Sequence, residues 1–316
     1  MGNKNNNKKN LLVLTGFRCN NNCIVCSIAD CENDYQDRSY NDITKDLKRG
    51  FKNGCDSVEF TGGEPTIRAD IIKLVKEAND LGYKTISLST NGRFFAYDDF
   101  CEKIINTGLN KVTFSLLGPN KETHDAITRT PGSFGQILTG IKNVQRYKNV
   151  HVNISTVISR LNYGDLLNFG NFILSIGVKN WYLLDLIPDG GAKIYYSHLV
   201  VRLKDLYNKL NGLIEISDQF NEFGFFDFPF CLFSPEIKSQ KNIIFVNTKM
   251  RDDTIHQVGY DPKRIIKNNK GKYFDTYRVN IDICRQCQYH KECGGIWKEY
   301  LNLFGDDEIR YFVKSL

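Results

Sequence analysis

Short apolar or β-branched runs alternate with amphipathic stretches along most of this chain. The runs fall at Leu11–Phe17, Ser57–Thr61, Thr85–Thr90, Lys111–Leu117, His151–Ile158 and Trp181–Ile187. Each has the length and composition of a strand. Between them Ile71, Ile72, Leu74, Val75 and Ala78 recur with helical spacing, as do Ile137, Leu138, Ile141 and Val144. Gly54, Gly82, Gly108 and Gly177 each stand between a helix-like stretch and the next strand. That is where a left-handed glycine ends a helix. Six such βα units predict an α/β fold with a parallel sheet and helical crossovers. Reactive groups in such folds gather at the C-terminal ends of the strands. The unusual segments of this chain fall there: Cys19–Cys26 after the first strand, Gly62–Pro65 after the second, Asn91–Gly92 after the third and Gly118–Pro119 after the fourth.

The repeat stops near Asn211. Residues 212–283 read as irregular, with an aromatic cluster at Phe223–Phe230 and a polar stretch at Lys263–Lys272. The aromatic cluster reads as core before it reads as a pocket wall. The expected division is a polar disordered tail over 1–10, an α/β unit over 11–211 and a smaller domain over 212–316. A chain of 316 residues, 41% hydrophobic and 25% charged, can build both. The net charge of +6 comes without a basic block, which argues against nucleic-acid binding. No apolar run is long enough to span a membrane. The Asn/Lys-rich start has no apolar signal region, so ten cysteines point to metal or catalysis in the cytoplasm, under low oxygen, before disulfides.

Cys19, Cys23 and Cys26 form a C-x3-C-x2-C run directly after a strand. Three thiolates on one tight loop can bind three irons of a 4Fe–4S cube and leave the fourth iron open. Half a zinc site and a disulfide framework are the alternatives. The first lacks a nearby His, the earliest being His124, and the second lacks a secretory signal. In Thr61-Gly62-Gly63-Glu64-Pro65 the glycines allow close backbone approach. Pro65 fixes the turn exit, and Glu64 can order the loop or accept a proton or an ammonium. Alone, this segment would read as a tight strand-to-helix turn.

Together these two loops resemble the radical S-adenosylmethionine superfamily. The similarity continues through Ser89-Thr90-Asn91-Gly92, Phe114-Ser115-Leu116, His124-Asp125, Arg129 and Pro131-Gly132-Ser133-Phe134. This series resembles the branch that holds the molybdopterin-precursor enzyme and the SPASM/twitch enzymes. The resemblance implies a partial (β/α)6 TIM-like barrel, with a 4Fe–4S cluster on Cys19, Cys23 and Cys26. S-adenosylmethionine would chelate the open iron and be cleaved to a 5′-deoxyadenosyl radical. Gly62, Gly63 and Glu64 would face the methionine amine, and Ser89, Asn91 and Ser115 the ribose. Arg129 would meet the carboxylate, which suits a guanidinium fork. An electron donor such as a flavodoxin or ferredoxin is implied too. The chain departs from the pattern at Val25, often aromatic in relatives, and at Leu117, often Asp.

Cys284-x2-Cys287-x5-Cys293 resembles the core of the SPASM motif, but Trp297 stands where a further cysteine would follow. Cys231 supplies a fourth thiol. Four thiols suffice for one fully ligated auxiliary cluster, as in a twitch-like domain, or for a zinc knot. Cys55 and Cys101 read as small buried residues; Cys31 stays open. His124 reads as structural. A peptide or protein side chain is the expected substrate, with a separate leader-binding partner because only 18 residues precede Cys19. A small molecule such as a sugar, nucleotide or natural-product intermediate is the alternative. Molybdopterin-precursor synthesis itself is disfavoured, because the chain ends Val313-Lys314-Ser315-Leu316 rather than Gly-Gly. A non-catalytic electron carrier would need neither an open iron nor the glycine loop beside it.

Overall fold

The computed structural model describes residues 9–29, 37–247, 255–258 and 277–315. The strands are β1 (Lys9–Leu14), β2 (Cys55–Thr61), β3 (Thr85–Thr90), β4 (Lys111–Ser115), β5 (His151–Val157), β6 (Asn180–Leu184), β7 (Glu222–Phe226), β8 (Ile243–Val246) and β9 (Ile255–Val258). They form one sheet in the order β8-β7-β6-β5-β4-β3-β2-β1-β9. Every pairing is parallel. The main crossover helices are α1 (Tyr40–Lys52), α2 (Ile71–Leu81), α3 (Asp98–Asn106), α4 (Lys121–Thr128), α5 (Ser133–Gln145) and α6 (Leu166–Ser175). This is the expected α/β architecture, a curled, TIM-like partial barrel.

Alternation along the strands decides which way each residue faces. Val58, Phe60, Ile86, Leu88, Val112, Phe114, Ile154, Trp181, Leu183, Phe223 and Phe225 are all buried. They pack in one core with Ile43, Leu47, Leu74, Val75, Ile104, Ile141 and Val144 of the helices. The opposite face, away from the helices, carries Glu59, Ser87, Ser89, Thr113, Ser115 and Ser155. Register lines up Ser89 with Thr113 and Ser115 with Ser155. A polar lumen therefore lies behind an apolar shell. The four expected helix-ending glycines all have positive φ, from 79° at Gly177 to 113° at Gly108.

Two expectations are corrected. Residues 212–283 are not simply irregular: β7 pairs with β6, β8 with β7 and β9 with β1, so the sheet runs well past Asn211. The aromatic run over 223–226 is a strand, and Phe223, Phe225, Phe228 and Phe230 are core, as their residue type favours. Lys9 and Asn10, read as tail, begin β1. Met1–Lys8, Cys31 and the polar stretch Lys263–Lys272 lie outside the described residues.

The C-terminal part adds a two-stranded antiparallel ribbon, β10 (Arg278–Val279) with β11 (Ile296–Trp297), and two short helices, Lys298–Phe304 and Asp307–Lys314. These helices dock on the helix Leu203–Gly212. Glu308 accepts from Arg202 at 2.7 Å and from the Leu203 amide at 3.0 Å, and Phe312 stacks on Tyr207 at 5.1 Å. Among the described residues, no helix is long and apolar enough to cross a membrane.

Candidate active site

The loop after β1 holds Cys19, Cys23 and Cys26, and three other elements pin it through backbone hydrogen bonds. Gly63 and Glu64 donate to the carbonyls of Gly16 and Arg18, both at 2.8 Å. Asn22 and Ile24 donate to Thr128 and Ile127 at the end of α4, at 3.1 and 2.9 Å. Ala192, in the short helix Gly190–Ile194 after β6, donates to Cys26 at 3.1 Å. The glycines after β2 explain the first contact. A Cβ on Gly63 would sit 2.1 Å from the Arg18 oxygen, and one on Gly62 would sit 2.4 Å from the Gly16 oxygen at a φ of 131°. The loops pack backbone against backbone, which only glycine permits.

Glu64 is turned inward and is 3% exposed. One oxygen accepts from the Thr66 amide at 3.0 Å, the Thr66 hydroxyl at 2.6 Å and the Thr90 hydroxyl at 2.7 Å; the other accepts from the Asn91 amide at 2.6 Å. Of the two roles open to it in the sequence, this geometry matches loop ordering: the carboxylate fastens the loop after β2 to the loop after β3. Burial raises its pKa, against these hydrogen bonds.

Asn91 donates to Asn20 at 2.6 Å and to the Cys19 sulfur at 3.7 Å. Ser89 donates to Glu59, and Ser115 ends β4 on the same face. Arg129 caps α4 with a φ of 51°, in the left-handed region that costs a non-glycine residue about 1–2 kcal/mol. Its guanidinium lies over the Tyr195 ring at 4.7 Å. The helix it ends is the one that holds the cysteine loop. His124 is buried and accepts from the Leu117 amide at 3.1 Å. Burial lowers it to about 4, which keeps it neutral and structural. For Asp125, burial acts upward, but the amides of Gly132 and Phe134 and the Ser133 hydroxyl hold its pKa low and cap α5.

Two contributors have no motif in the sequence. Arg93 reaches back to the Asn20 carbonyl, to Asn21 at 3.1 Å and to Gln136 at 2.6 Å. Gly190, with a φ of 54°, would drive a Cβ to 2.5 Å from the Ser27 carbonyl group. For the latter, the adjacent pair Gly190-Gly191 is a signal the sequence reading passed over.

The thiol set fits an iron–sulfur cluster. Burial pushes Cys19 up to about 11, with Glu64 and Cys26 adding to the rise, and pushes Cys23 upward as well, with Cys26 and Cys19 adding to it. Such a trio becomes thiolate only against cations. The Asn21 amide, 3.3 Å from the Cys19 sulfur, and Asn91 are hydrogen-bond donors suited to a metal-bound thiolate.

At the C-terminal end, Cys231, Cys284, Cys287 and Cys293 line one cavity with His290. The amides of Gly295 and Phe230 donate to the Cys293 sulfur at 3.4 and 3.5 Å. Among the described residues no three Cys, His, Asp or Glu side chains converge as ligands of a single ion. Four thiols around one cavity suit either a four-thiolate zinc or a fully ligated iron–sulfur cluster. Cys55 and Cys101 are buried apart from both sets.

A charged knot joins this region to the barrel mouth. Trp297 donates to Asp185, the residue after β6, at 2.8 Å. Arg278 lies 4.2 Å from the centre of the Trp297 ring, with Asp185 at 4.0 Å and Asp227 at 3.7 Å. It donates to the carbonyls of Asp227 and Gly295. Burial lifts Asp185 to about 7, against the pull of Arg278 and Trp297. Trp297 thus fills the place of the absent cysteine with a structural contact.

Solved structures share this fold. Native anSMEcpe with bound AdoMet and Cp18Cys peptide superposes with a TM-score of 0.65 over 97% of this chain and 96% of that one, at 15% identity. Streptococcus suis SuiB bound to precursor peptide SuiA gives 0.57 over 75% and 48%, at 15% identity. In sequence, a probable GTP 3',8-cyclase of Saccharolobus solfataricus is 31% identical over 188 residues, and one of Saccharolobus islandicus is 32% identical over 178. The chain spans about 60% of the length of the first of these curated relatives and 57% of the second. The Radical SAM superfamily model matches residues 13–173, just over half of the chain, and that span takes in the cysteine loop, the glycine loop and the polar lumen strands. On that match the chain belongs to the radical SAM superfamily.

Proposed function

We propose that this protein is a maturase-type oxidoreductase that uses S-adenosylmethionine to abstract hydrogen from a peptide or protein side chain. We further propose a second 4Fe–4S centre on Cys231, Cys284, Cys287 and Cys293. A 4Fe–4S cluster with S-adenosylmethionine supplies reductive C–S cleavage and a 5′-deoxyadenosyl radical. The chain's own residues hold, orient and dry the site. Cys19, Cys23 and Cys26 hold the cluster on a loop fixed from three sides. The backbone of Gly62 and Gly63 packs against that loop and would receive the methionine amine. Ser89, Asn91 and Ser115 offer polar groups to the ribose from the lumen face. Arg129 offers its guanidinium to the carboxylate.

The observation that carries the reading is the gathering of four cysteines around one cavity, in a segment fastened to the ends of β6 and β7 through Asp185 and Arg278. A fully ligated centre at that position suits the removal of an electron after hydrogen abstraction. The full-length likeness to a fold solved with a bound peptide supports a side chain as substrate. A second reading, a small-molecule substrate such as a nucleotide, rests on the higher sequence identity to the probable GTP 3',8-cyclases. A flavodoxin- or ferredoxin-type donor completes either scheme, and a separate leader-binding protein belongs to the peptide reading.

The test is anaerobic. Wild type, the Cys19/Cys23/Cys26→Ala variant and Cys231→Ala are reconstituted with iron and sulfide, and iron, zinc and 5′-deoxyadenosine are measured with S-adenosylmethionine and a strong reductant. About eight irons in wild type and about four in each variant, with 5′-deoxyadenosine lost only in the triple variant, fit the proposal. Four irons plus one zinc in wild type would remove the auxiliary cluster. Deuterium passing into 5′-deoxyadenosine from labelled peptide pools or from labelled nucleotides separates the two substrate readings.

A further inference from the structure

Lys238 ends the short helix Pro235–Lys238 and turns its side chain under the loop that carries Cys287 and Cys293. Its Nζ is buried and, among the described residues, has no hydrogen-bond partner. It lies 4.0 Å from the centre of the Tyr289 ring. Tyr289 sits between Cys287 and Cys293, accepts from the Cys293 amide at 2.8 Å, and meets Phe230, the neighbour of Cys231, edge-on at 6.2 Å. The lysine is therefore one aromatic ring away from the four-thiol cavity.

An ammonium buried without hydrogen bonds is strongly unfavourable unless an anion stands nearby. The cation–π contact supplies only part of the compensation. The thiols add to the compensation once they are thiolates: Cys231, Cys287 and Cys293 favour the charged form of Lys238, against the larger effect of burial, which leaves its pKa lowered to about 8. On the cavity wall, His290 also has a buried Nδ1 without a hydrogen-bond partner among the described residues. Lys238 thus places a positive charge one ring away from this centre.

We propose that Lys238 is an electrostatic positioning residue of the C-terminal centre: its ammonium, screened from water behind Tyr289, stabilises the more negative, reduced state of a four-thiolate iron–sulfur cluster. The inference rests on the cluster reading above. A cation near a cluster favours the form with the extra electron, because net charge around the sulfurs sets the reduction potential. The lysine makes the centre a better electron acceptor, which is the property needed to take an electron from a substrate radical. It ligates nothing and touches no reacting atom.

The experiment compares the full chain as wild type, Lys238→Gln and Lys238→Arg, reconstituted anaerobically. Iron, sulfide and zinc are counted, and each cluster is titrated potentiometrically with detection by electron paramagnetic resonance. The expected result is unchanged iron in Lys238→Gln and a midpoint shifted to more negative potential for the C-terminal cluster only. Lys238→Arg should return it toward wild type, while the cluster on Cys19, Cys23 and Cys26 is unmoved throughout. An unchanged midpoint in an iron-replete Lys238→Gln protein overturns the proposal. If Lys238→Gln is iron-poor, Lys238→Arg must restore both the iron and the midpoint, and failure there also overturns it. Zinc in wild type, with no iron at this site, overturns the cluster reading and the inference with it. The metal count separates that outcome from a failure of Lys238 alone.

Discussion

Replacing Gly63 by alanine puts a methyl carbon 2.1 Å from the Arg18 carbonyl oxygen and 2.4 Å from that of Phe17. Both are backbone atoms, so no side chain can swing away. Ordinary contact begins near 3.4 Å, so one loop must retreat by roughly 1.3 Å. The loop that retreats carries Cys19 and is held by the hydrogen bonds from Gly63 and Glu64, both 2.8 Å long. Overpacking of this kind costs about 1–3 kcal/mol. A shift of that size also moves Cys19 relative to Cys23 and Cys26, which are pinned independently to α4 and to the helix after β6. Two readouts follow. Denaturant unfolding of the metal-free chain should show the stability loss, and anaerobic reconstitution should show about four fewer irons. Gly164→Ala is the control: a Cβ there meets nothing within 4 Å, and the substitution should be neutral or gain about 0.4–1 kcal/mol. A Gly63→Ala protein as stable as Gly164→Ala, with full iron, would refute the argument that backbone contact positions the cysteine loop.

Glu64→Gln must turn an amide N–H toward groups that already donate, so it should lose about 1–3 kcal/mol in urea melts; a variant of wild-type stability would mean Glu64 does not bind the two loops together. Asp185 binds its proton more tightly folded than unfolded, so between pH 4 and pH 7 the folded state holds the extra proton and stability falls as pH rises through about 7. The effect is at most about 4 kcal/mol, and Asp185→Asn should lack it; stability curves of the two proteins that run parallel from pH 5 to pH 8 would contradict the assignment. Arg129→Gly relieves the left-handed strain but removes the stack on Tyr195, so stability should stay within about 1 kcal/mol of wild type while S-adenosylmethionine affinity drops in equilibrium binding; undiminished affinity would exclude Arg129 as the carboxylate partner.

Much of the barrel could be read from pattern because parallel strands and crossover helices impose strict periods, and because helix-ending glycines such as Gly82 and Gly108 punctuate them. The cysteine loop was legible for a different reason, since its spacing is itself a ligand geometry, and the glycine loop because it follows the neighbouring strand. The late strands were missed because β7, Glu222-Phe-Gly-Phe-Phe226, lacks a polar–apolar alternation and follows a run of short helices rather than one long one. Glu64 could be placed at the site, but not its role, since four donors from three different positions converge on it only in space. Arg93, Asp185 and Arg278 carried no signal at all: an arginine after a turn or an acid after a strand is ordinary until its partners, up to 112 residues away for Asp185 and Trp297, are known.

The strand β1 lies between β2 and β9, pairing with residues 255–258 on its far side. During synthesis that edge, Asn10 to Val13, waits for a partner made about 245 residues later. At ordinary elongation rates the wait is roughly ten to fifty seconds. Throughout it, an apolar strand with unpaired amides and carbonyls is open to pairing with another chain, beside three cysteines not yet closed around metal. The nascent chain therefore offers an open strand edge and unligated thiols at the same place and over the same interval: cluster insertion early in translation would protect the thiols, while the edge closes only when residues 255–258 arrive.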